Sequence, residues 1–309
     1  MIFIVFLLSL IKDGKKRFDG SPSLPYYTPE DLGLKERRFF FYSGKNKLYG
    51  SRYFTNKGPY KGVLVFFHGI GAGRTSYLKE ISLLAKEGYL VYAYDNTGCM
   101  QSEGKGYIGL GQTNYDIEAF FHFLDADPLA KGYKRFAVGH SWGGYSTFCS
   151  LKPAFKMSKI VSISGFISPK EEITSIVKIC KQGFFRFIFK KAMDFYFKKK
   201  GNSNAIDLIE NTDSEVLYIQ GTEDQMVPFK RNGLILKKHF EGLDRVKFLL
   251  VEGMKHQPQY TKESEDYLEQ FTQDKKSSTK EGNSPHLNIE KATKMNPLVF
   301  ASIIDFLNK

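Results

Sequence analysis

The chain has 309 residues, enough to bury a full core in one large domain, and its 42% apolar and 25% charged content excludes wholesale disorder and a polytopic membrane protein. A formal charge of +12 with 28 Phe and 18 Tyr favours anionic or amphiphilic surroundings such as phospholipid headgroups. The basic residues are spread along the chain and no nucleic-acid module is recognisable, so nucleic acid is not an expected partner.

In chain order, the first feature is an apolar run from Met1 to Ile11, broken only by Ser9 and followed by Lys12, Lys15, Lys16 and Arg17. As a helix rising ~1.5 Å per residue it would cover about half of a ~30 Å hydrocarbon core. Positive charge follows the run instead of preceding it, unlike a secretory signal. It reads as an interfacial or truncated membrane anchor with a basic flank, the alternative being an apolar element packed on the core. The expected location is therefore cytoplasmic, or membrane-associated facing the cytoplasm. Residues 1–36 are set apart as this segment plus a basic linker, and 37–309 as the main domain.

From Arg37 to Phe54 two aromatic-rich stretches flank a Gly-Lys-Asn turn, a hairpin pattern. The rhythm then changes. Gly62–Phe67, Leu90–Tyr94, Phe136–Gly139, Ile160–Ser164, Val216–Gln220 and Val246–Val251 are short, nearly continuous apolar runs. Tyr77–Lys86, Tyr115–Leu124 and Arg231–Phe240 have helical periodicity between them. Continuous apolar strands alternating with amphipathic helices predict an α/β fold, with a mostly parallel twisted sheet covered by helices on both faces. Two stretches fall outside this alternation: about 166–214, rich in Phe and Lys, and about 260–293, which contains QDKKSSTKEGNSP and reads as a flexible polar insertion. A last helix is expected over Pro297–Leu307. Cys99, Cys149 and Cys180 show neither C-x-x-C spacing nor histidine neighbours, so no metal site and no disulfide framework is expected, which suits a reducing compartment.

The chemistry concentrates at the strand ends. In AVGHSWGGYS, Gly139, Ser141 and Gly143 form G-x-S-x-G between a predicted strand and a predicted helix. A serine on such a sharp turn projects above the sheet, and the flanking glycines let strand and helix approach closely. Its hydroxyl needs a base. His122 and His239 fall within predicted helices, His286 in the polar insertion, and His68 and His140 inside glycine motifs where they shape turns. His256, just past the strand Val246–Val251, remains. Two carboxylates, Glu223 and Asp224, follow the Gly221 turn and either can orient the imidazole. The loop His68-Gly69-Ile70-Gly71 ends another strand; with the amide of Trp142, the amide of Ile70 is the expected second donor to an oxyanion.

HGIG, YDNTGCMQSEG, GHSWGG, GTEDQMVP and the late histidine together resemble the α/β-hydrolase superfamily, nearest to its lysophospholipase, monoacylglycerol lipase and serine aminopeptidase-like (S33) branch. The resemblance runs from about Gly62 to His256. It implies the α/β-hydrolase fold with a helical cap insertion, no cofactor, and the chain order Ser141, Asp224, His256 for nucleophile, acid and base. Asp224 is preferred over Glu223 because the family places its acid three residues after such a glycine. The resemblance makes 166–214 the cap. Between Lys178 and Lys200 the cap carries eight Lys or Arg against one acid, Asp194, interleaved with aromatics that suit an acyl pocket or an anionic membrane surface. The expected function is hydrolysis of a carboxylic ester with an apolar acyl group, as by an esterase, lysophospholipase or monoacylglycerol lipase. An aminopeptidase or amidase on the same fold is the alternative, and a catalytically silent lipid- or protein-binding module is the alternative of another class. Two departures stand out. The branch's D-x-R-G-x-G-x-S is here Asp95-Asn96-Thr97-Gly98-Cys99-Met100-Gln101-Ser102, without the arginine and second glycine, and relatives proceed from the histidine to the last helix without an insertion.

Overall fold

A computed structural model describes residues 17–20, 27–106, 110–176, 183, 187, 191, 201, 203–278 and 286–309. The apolar run Met1–Ile11 and most of the aromatic, basic centre of the 166–214 insertion lie outside the described residues.

Eight strands form one sheet in the order β1-β2-β4-β3-β5-β6-β7-β8. β1 (Lys35–Ser43) and β2 (Asn46–Phe54) are the predicted hairpin, closing at Gly44-Lys45, and β2 pairs antiparallel with β4 (Leu90–Tyr94). From β4 onward the sheet is parallel: β3 (Val63–Phe67), β5 (Arg135–His140), β6 (Met157–Ile163), β7 (Glu215–Gly221) and β8 (Val246–Val251). Every residue of β3 and β4 is buried, which explains why these strands read as unbroken apolar runs.

Alternate strand residues serve two cores. Val63, Val65 and Phe67 face one layer with Ile117, Phe120 and Leu124 of α2 (Thr113–Ala126) and Tyr145 and Phe148 of α3 (Trp142–Cys149). Leu64 and Phe66 face the other, with Ile81 and Leu84 of α1 (Leu78–Lys86) and Val299 and Ile303 of the C-terminal helix Pro297–Asn308. Part of the aromatic content lies here: Phe39, Phe41, Tyr94, Phe120 and Phe123 pack ring on ring, with centroids 4.6 to 6.3 Å apart.

Two boundaries differ from the sequence reading. The main domain begins before residue 37, because β1 starts at Lys35 and Leu32 and Leu34 are buried against α1's layer. The stretch after His256 is not uniformly flexible either: Lys262–Ser278 is a helix. Its polar residues pair along the helix, Lys262 with Asp266 and Gln270 with Asp274, while Phe271 is buried. Composition suggested a flexible insertion because i,i+4 pairing of a polar sequence leaves little apolar periodicity to read.

Candidate active site

β5 ends at His140, and α3 starts immediately after Ser141. The turn leaves Ser141 at φ 58° and ψ −117°, a strained conformation for a side-chain-bearing residue. It is stabilised by the Ser141 amide donating to Ile163 O at 2.8 Å and by Tyr145 N donating to Ser141 O at 3.0 Å. The two glycines are required sterically: a Cβ on Gly139 would overlap the carbonyl of Gly143, and one on Gly143 would overlap that of Phe67.

The hydroxyl projected by this turn meets the loop after β8. Ser141 Oγ lies 2.9 Å from His256 Nε2, and His256 Nδ1 lies 3.0 Å from Asp224 Oδ2. With Nδ1–H donating to the carboxylate, Nε2 is left to accept the serine proton. All three residues are buried. The carboxylate on the imidazole is Asp224; Glu223 is exposed and its amide ties the loop to Met254 O at 2.9 Å. Asp224 is also held by the amides of Met226 and Val227 on Oδ1, at 2.9 and 3.0 Å, and by Gln220 Nε2 on Oδ2 at 3.1 Å. Burial pushes its pKa up, but the His256 hydrogen bond and charge, with the Gln220 and Val227 donors, outweigh burial and leave it below the ordinary value.

The HGIG loop closes over the serine. A Cβ on Gly69 would sit 3.6 Å from Ser141 Cβ, and Ile70 follows with its side chain exposed at the rim. His68 has both ring nitrogens engaged away from the serine: it accepts from Asn96 N at 3.0 Å and donates from Nδ1 to Gly69 O at 2.8 Å. Desolvation lowers its pKa, and its neutral ring stands edge-on to Trp142 with centroids 6.1 Å apart.

Three supports of the site escaped sequence reading. His140, expected only to shape a turn, is fully enclosed, and burial pulls its pKa to about 3. Its Nε2–H donates to His256 O at 2.9 Å and its Nδ1 accepts from Tyr77 Oη at 2.9 Å, while Gly69 N donates to Tyr77 Oη at 3.2 Å. One phenol and one neutral imidazole thus connect the HGIG loop to the backbone of His256. The second support is Glu265, on the helix Lys262–Ser278. Its carboxylate accepts from Lys255 N at 2.9 Å and from Gln257 N at 3.1 Å, the two amides flanking His256. The third is an arginine that pairs with Asp95. Arg74, from the loop after β3, forms a buried ion pair with Asp95 and also donates to Ser51 Oγ at 3.1 Å and Gln101 Oε1 at 2.7 Å. No local pattern marks these partners, which are joined across 8 to 116 residues of chain.

Behind the histidine loop, Glu80 accepts from Tyr260 Oη at 2.7 Å, and its second oxygen has no hydrogen-bond partner among the described residues. Burial raises its pKa from 4.5 to about 7. The folded state therefore holds a proton that the unfolded chain has released, and this stabilisation is lost as pH climbs from 4.5 towards 7. At about 1.4 kcal/mol per pH unit the loss is about 3 kcal/mol. Glu80→Gln, which keeps an acceptor for Tyr260 but carries no charge, is expected to raise the urea midpoint at about pH 8 and leave it nearly unchanged at about pH 5. Buried Glu172 and Asp116 have raised pKa values as well, so the diagnostic quantity is the difference between variant and wild type. A constant difference across pH would contradict this assignment.

The family model for serine aminopeptidase, S33 matches residues 58–223, more than half of the chain. The chain belongs to this family. It is a hydrolase with the α/β-hydrolase fold, and the match covers the HGIG loop and the Ser141 turn but ends one residue before Asp224. An esterase of Pyrococcus furiosus superposes at a TM-score of 0.60 with 19% identity over 87% of this chain and 97% of its own. An acylaminoacyl peptidase of Pyrococcus horikoshii gives a TM-score of 0.56 with 20% identity, over 72% of this chain and 38% of its own. At these identities the likeness is one of fold. No curated protein matches the sequence.

Proposed function

We propose that the protein is a serine hydrolase that cleaves a carboxylic ester with an apolar acyl group, through an acyl-enzyme on Ser141. The observation that carries this reading is the continuous chain Ser141 Oγ, His256 Nε2, His256 Nδ1, Asp224 Oδ2, at 2.9 and 3.0 Å, at the mouth of a strained strand-to-helix turn.

In this mechanism His256 Nε2 removes the Ser141 proton as Oγ bonds to the ester carbonyl carbon. The carbonyl oxygen gains the negative charge, which the amides of Trp142 and Ile70 receive at the helix N-terminus. When the intermediate collapses, the bond to the alkoxy oxygen breaks and His256 gives its proton to the departing alcohol. Water then repeats the sequence with His256 as base, releasing the acid and restoring Ser141. The ionised Asp224 holds the imidazole tautomer and stabilises the transient imidazolium.

The apolar acyl preference is supported by the aromatic, basic sequence of the insertion between β6 and β7. The test is labelling with a fluorophosphonate followed by hydrolysis of p-nitrophenyl esters from acetate to palmitate. Labelling of wild type but not of Ser141→Ala, with activity rising beyond acetate, is the expected result. Labelling with turnover of aminoacyl-β-naphthylamides and none of esters would favour the peptidase reading, in keeping with the family's description. No labelling of either protein would favour a silent binding module.

A further inference from the structure

The outward face of the β1–β2 hairpin changes character along its length. Register places Arg38 opposite Ser51, Phe40 opposite Tyr49 and Tyr42 opposite Lys47. At the inner end Ser51 and Tyr53 are buried, while Arg38 opposite Ser51 is exposed. Towards the turn the face is open: Phe40 is 50% and Tyr42 60% exposed, on a strand at the sheet's edge. Their rings lie 6.1 Å apart edge to face, and Lys47 Nζ sits 4.0 Å from the Phe40 centroid. Lys45 is exposed in the turn, and Arg38, Phe40, Tyr49 and Gln101 line a shallow depression beside it.

The amino-terminal segment enters the fold at this same place. Arg17 donates to the carbonyls of Met100, Ser102 and Gly104, each at 2.8 Å, and Phe18 N donates to Gly98 O at 3.0 Å. The hairpin binds the same loop, Tyr49 N donating to Ser102 Oγ at 2.9 Å and Glu103 N to Lys47 O at 2.9 Å. Arg17 and Phe18 are thus fixed to the loop 98–104 that the hairpin also binds. The acids nearby are engaged: Asp19 pairs with Arg17, Glu36 with Arg38, and Glu103 accepts from Lys47 N.

The hairpin tip also lies at the active-site end of the sheet. Gly50 pairs with Tyr94, the last residue of β4, so the hairpin from Tyr49 to its turn extends past the carboxyl ends of the parallel strands. Ser141 follows the carboxyl end of β5. The exposed aromatics and the nucleophile are at the same end of the sheet.

We propose that the tip of the β1–β2 hairpin is a docking surface for an anionic phospholipid bilayer, with Phe40 and Tyr42 seated at headgroup depth and Lys45 and Lys47 facing phosphate. An amphipathic tyrosine beside an exposed phenylalanine, flanked by lysines, suits that interface, and exposed basic side chains add attraction to an anionic leaflet. Docking in this way would bring the Ser141 mouth to the membrane, so the proposal deepens the apolar-ester reading and rests on it for its biological sense.

The test is co-sedimentation of the full chain with vesicles of phosphatidylcholine, with and without phosphatidylglycerol. Wild type is expected to sediment with the anionic vesicles and to be released by salt. Lys45→Glu with Lys47→Glu should weaken binding at least about 5-fold per side chain, at ~1 kcal/mol each. Phe40→Ser with Tyr42→Ser should weaken it through lost apolar contact, about 10-fold or more. Both double variants change exposed or half-buried positions outside the triad and should keep wild-type fluorophosphonate labelling. Undiminished vesicle binding by both variants would overturn the proposal, because the amino-terminal segment alone would then suffice. So would a wild-type dimer that Phe40→Ser/Tyr42→Ser dissolves without any vesicle binding, which would assign the face to a second copy. Hairpin-dependent binding by a chain that hydrolyses no ester would leave the docking surface standing and remove the proposed substrate.

Discussion

Asp224→Asn is expected to lower kcat for a p-nitrophenyl ester by about 10⁴-fold, the effect seen when the acid of a Ser-His-Asp triad becomes an amide, with little change in stability. The side chain keeps its shape, so the donors on its first oxygen, Met226 N and Val227 N, retain an acceptor. What changes is the partner of His256 Nδ1 and of Gln220 Nε2, which donates to the same second oxygen and keeps its other acceptor, Val227 O. An amide nitrogen turned toward the imidazole makes Nδ1 the acceptor, moves the ring proton to Nε2 and leaves no lone pair to receive the Ser141 proton. An amide oxygen turned that way preserves the tautomer but removes the negative charge that stabilises imidazolium. The second arrangement would put the new amide nitrogen against two backbone N–H groups, which disfavours it. Stopped-flow hydrolysis at about pH 8, beside a thermal melt, separates the outcomes; a variant within about 10-fold of wild type at unchanged Tm would deny Asp224 its role.

How much of this site was legible from sequence depends on how local each piece is. Ser141 could be found because strand, glycine, serine, glycine and helix lie in one short stretch and obey one steric requirement. His256 emerged by elimination, since each other histidine sat inside a helix, a glycine motif or the polar insertion. The choice of Asp224 over Glu223 was not decidable from the residues themselves and came from family spacing; in the fold it follows from the turn at Gly221, which points one carboxylate at the imidazole and the other to solvent. In the fold the alternation of β1 separates Phe39 and Phe41, both buried, from Phe40 and Tyr42, and nothing local tells which outward aromatic is covered by another element. The Tyr77–His140 link and the Arg74–Asp95 pair were illegible for the same reason: each is a hydrogen-bonding match between segments whose proximity is a product of the whole sheet order.

The sharpest case is the segment after His256, whose composition suggested a loose insertion. Its helix instead carries Glu265, only 4% exposed, to the amides on either side of the histidine. Charge-assisted bonds of this kind are worth about 1.5–3 kcal/mol each. Together with His140 on the carbonyl of His256, they fix three consecutive points of that loop. Glu265→Ala leaves two N–H groups without their acceptor and is expected to cost about 3 kcal/mol or more of stability. It is also expected to reduce the fluorophosphonate labelling rate of Ser141 by about 10²-fold, the scale of a displacement of about 1 Å in a catalytic group. Glu265→Gln keeps an acceptor oxygen and should recover part of that rate. Measured well below the melting temperature, the labelling rate distinguishes two roles for the helix. If Glu265 only stabilises the fold, the folded variant labels as fast as wild type despite its lower Tm. If it positions the base, the rate falls while far-UV circular dichroism is unchanged, and the glutamine variant falls between.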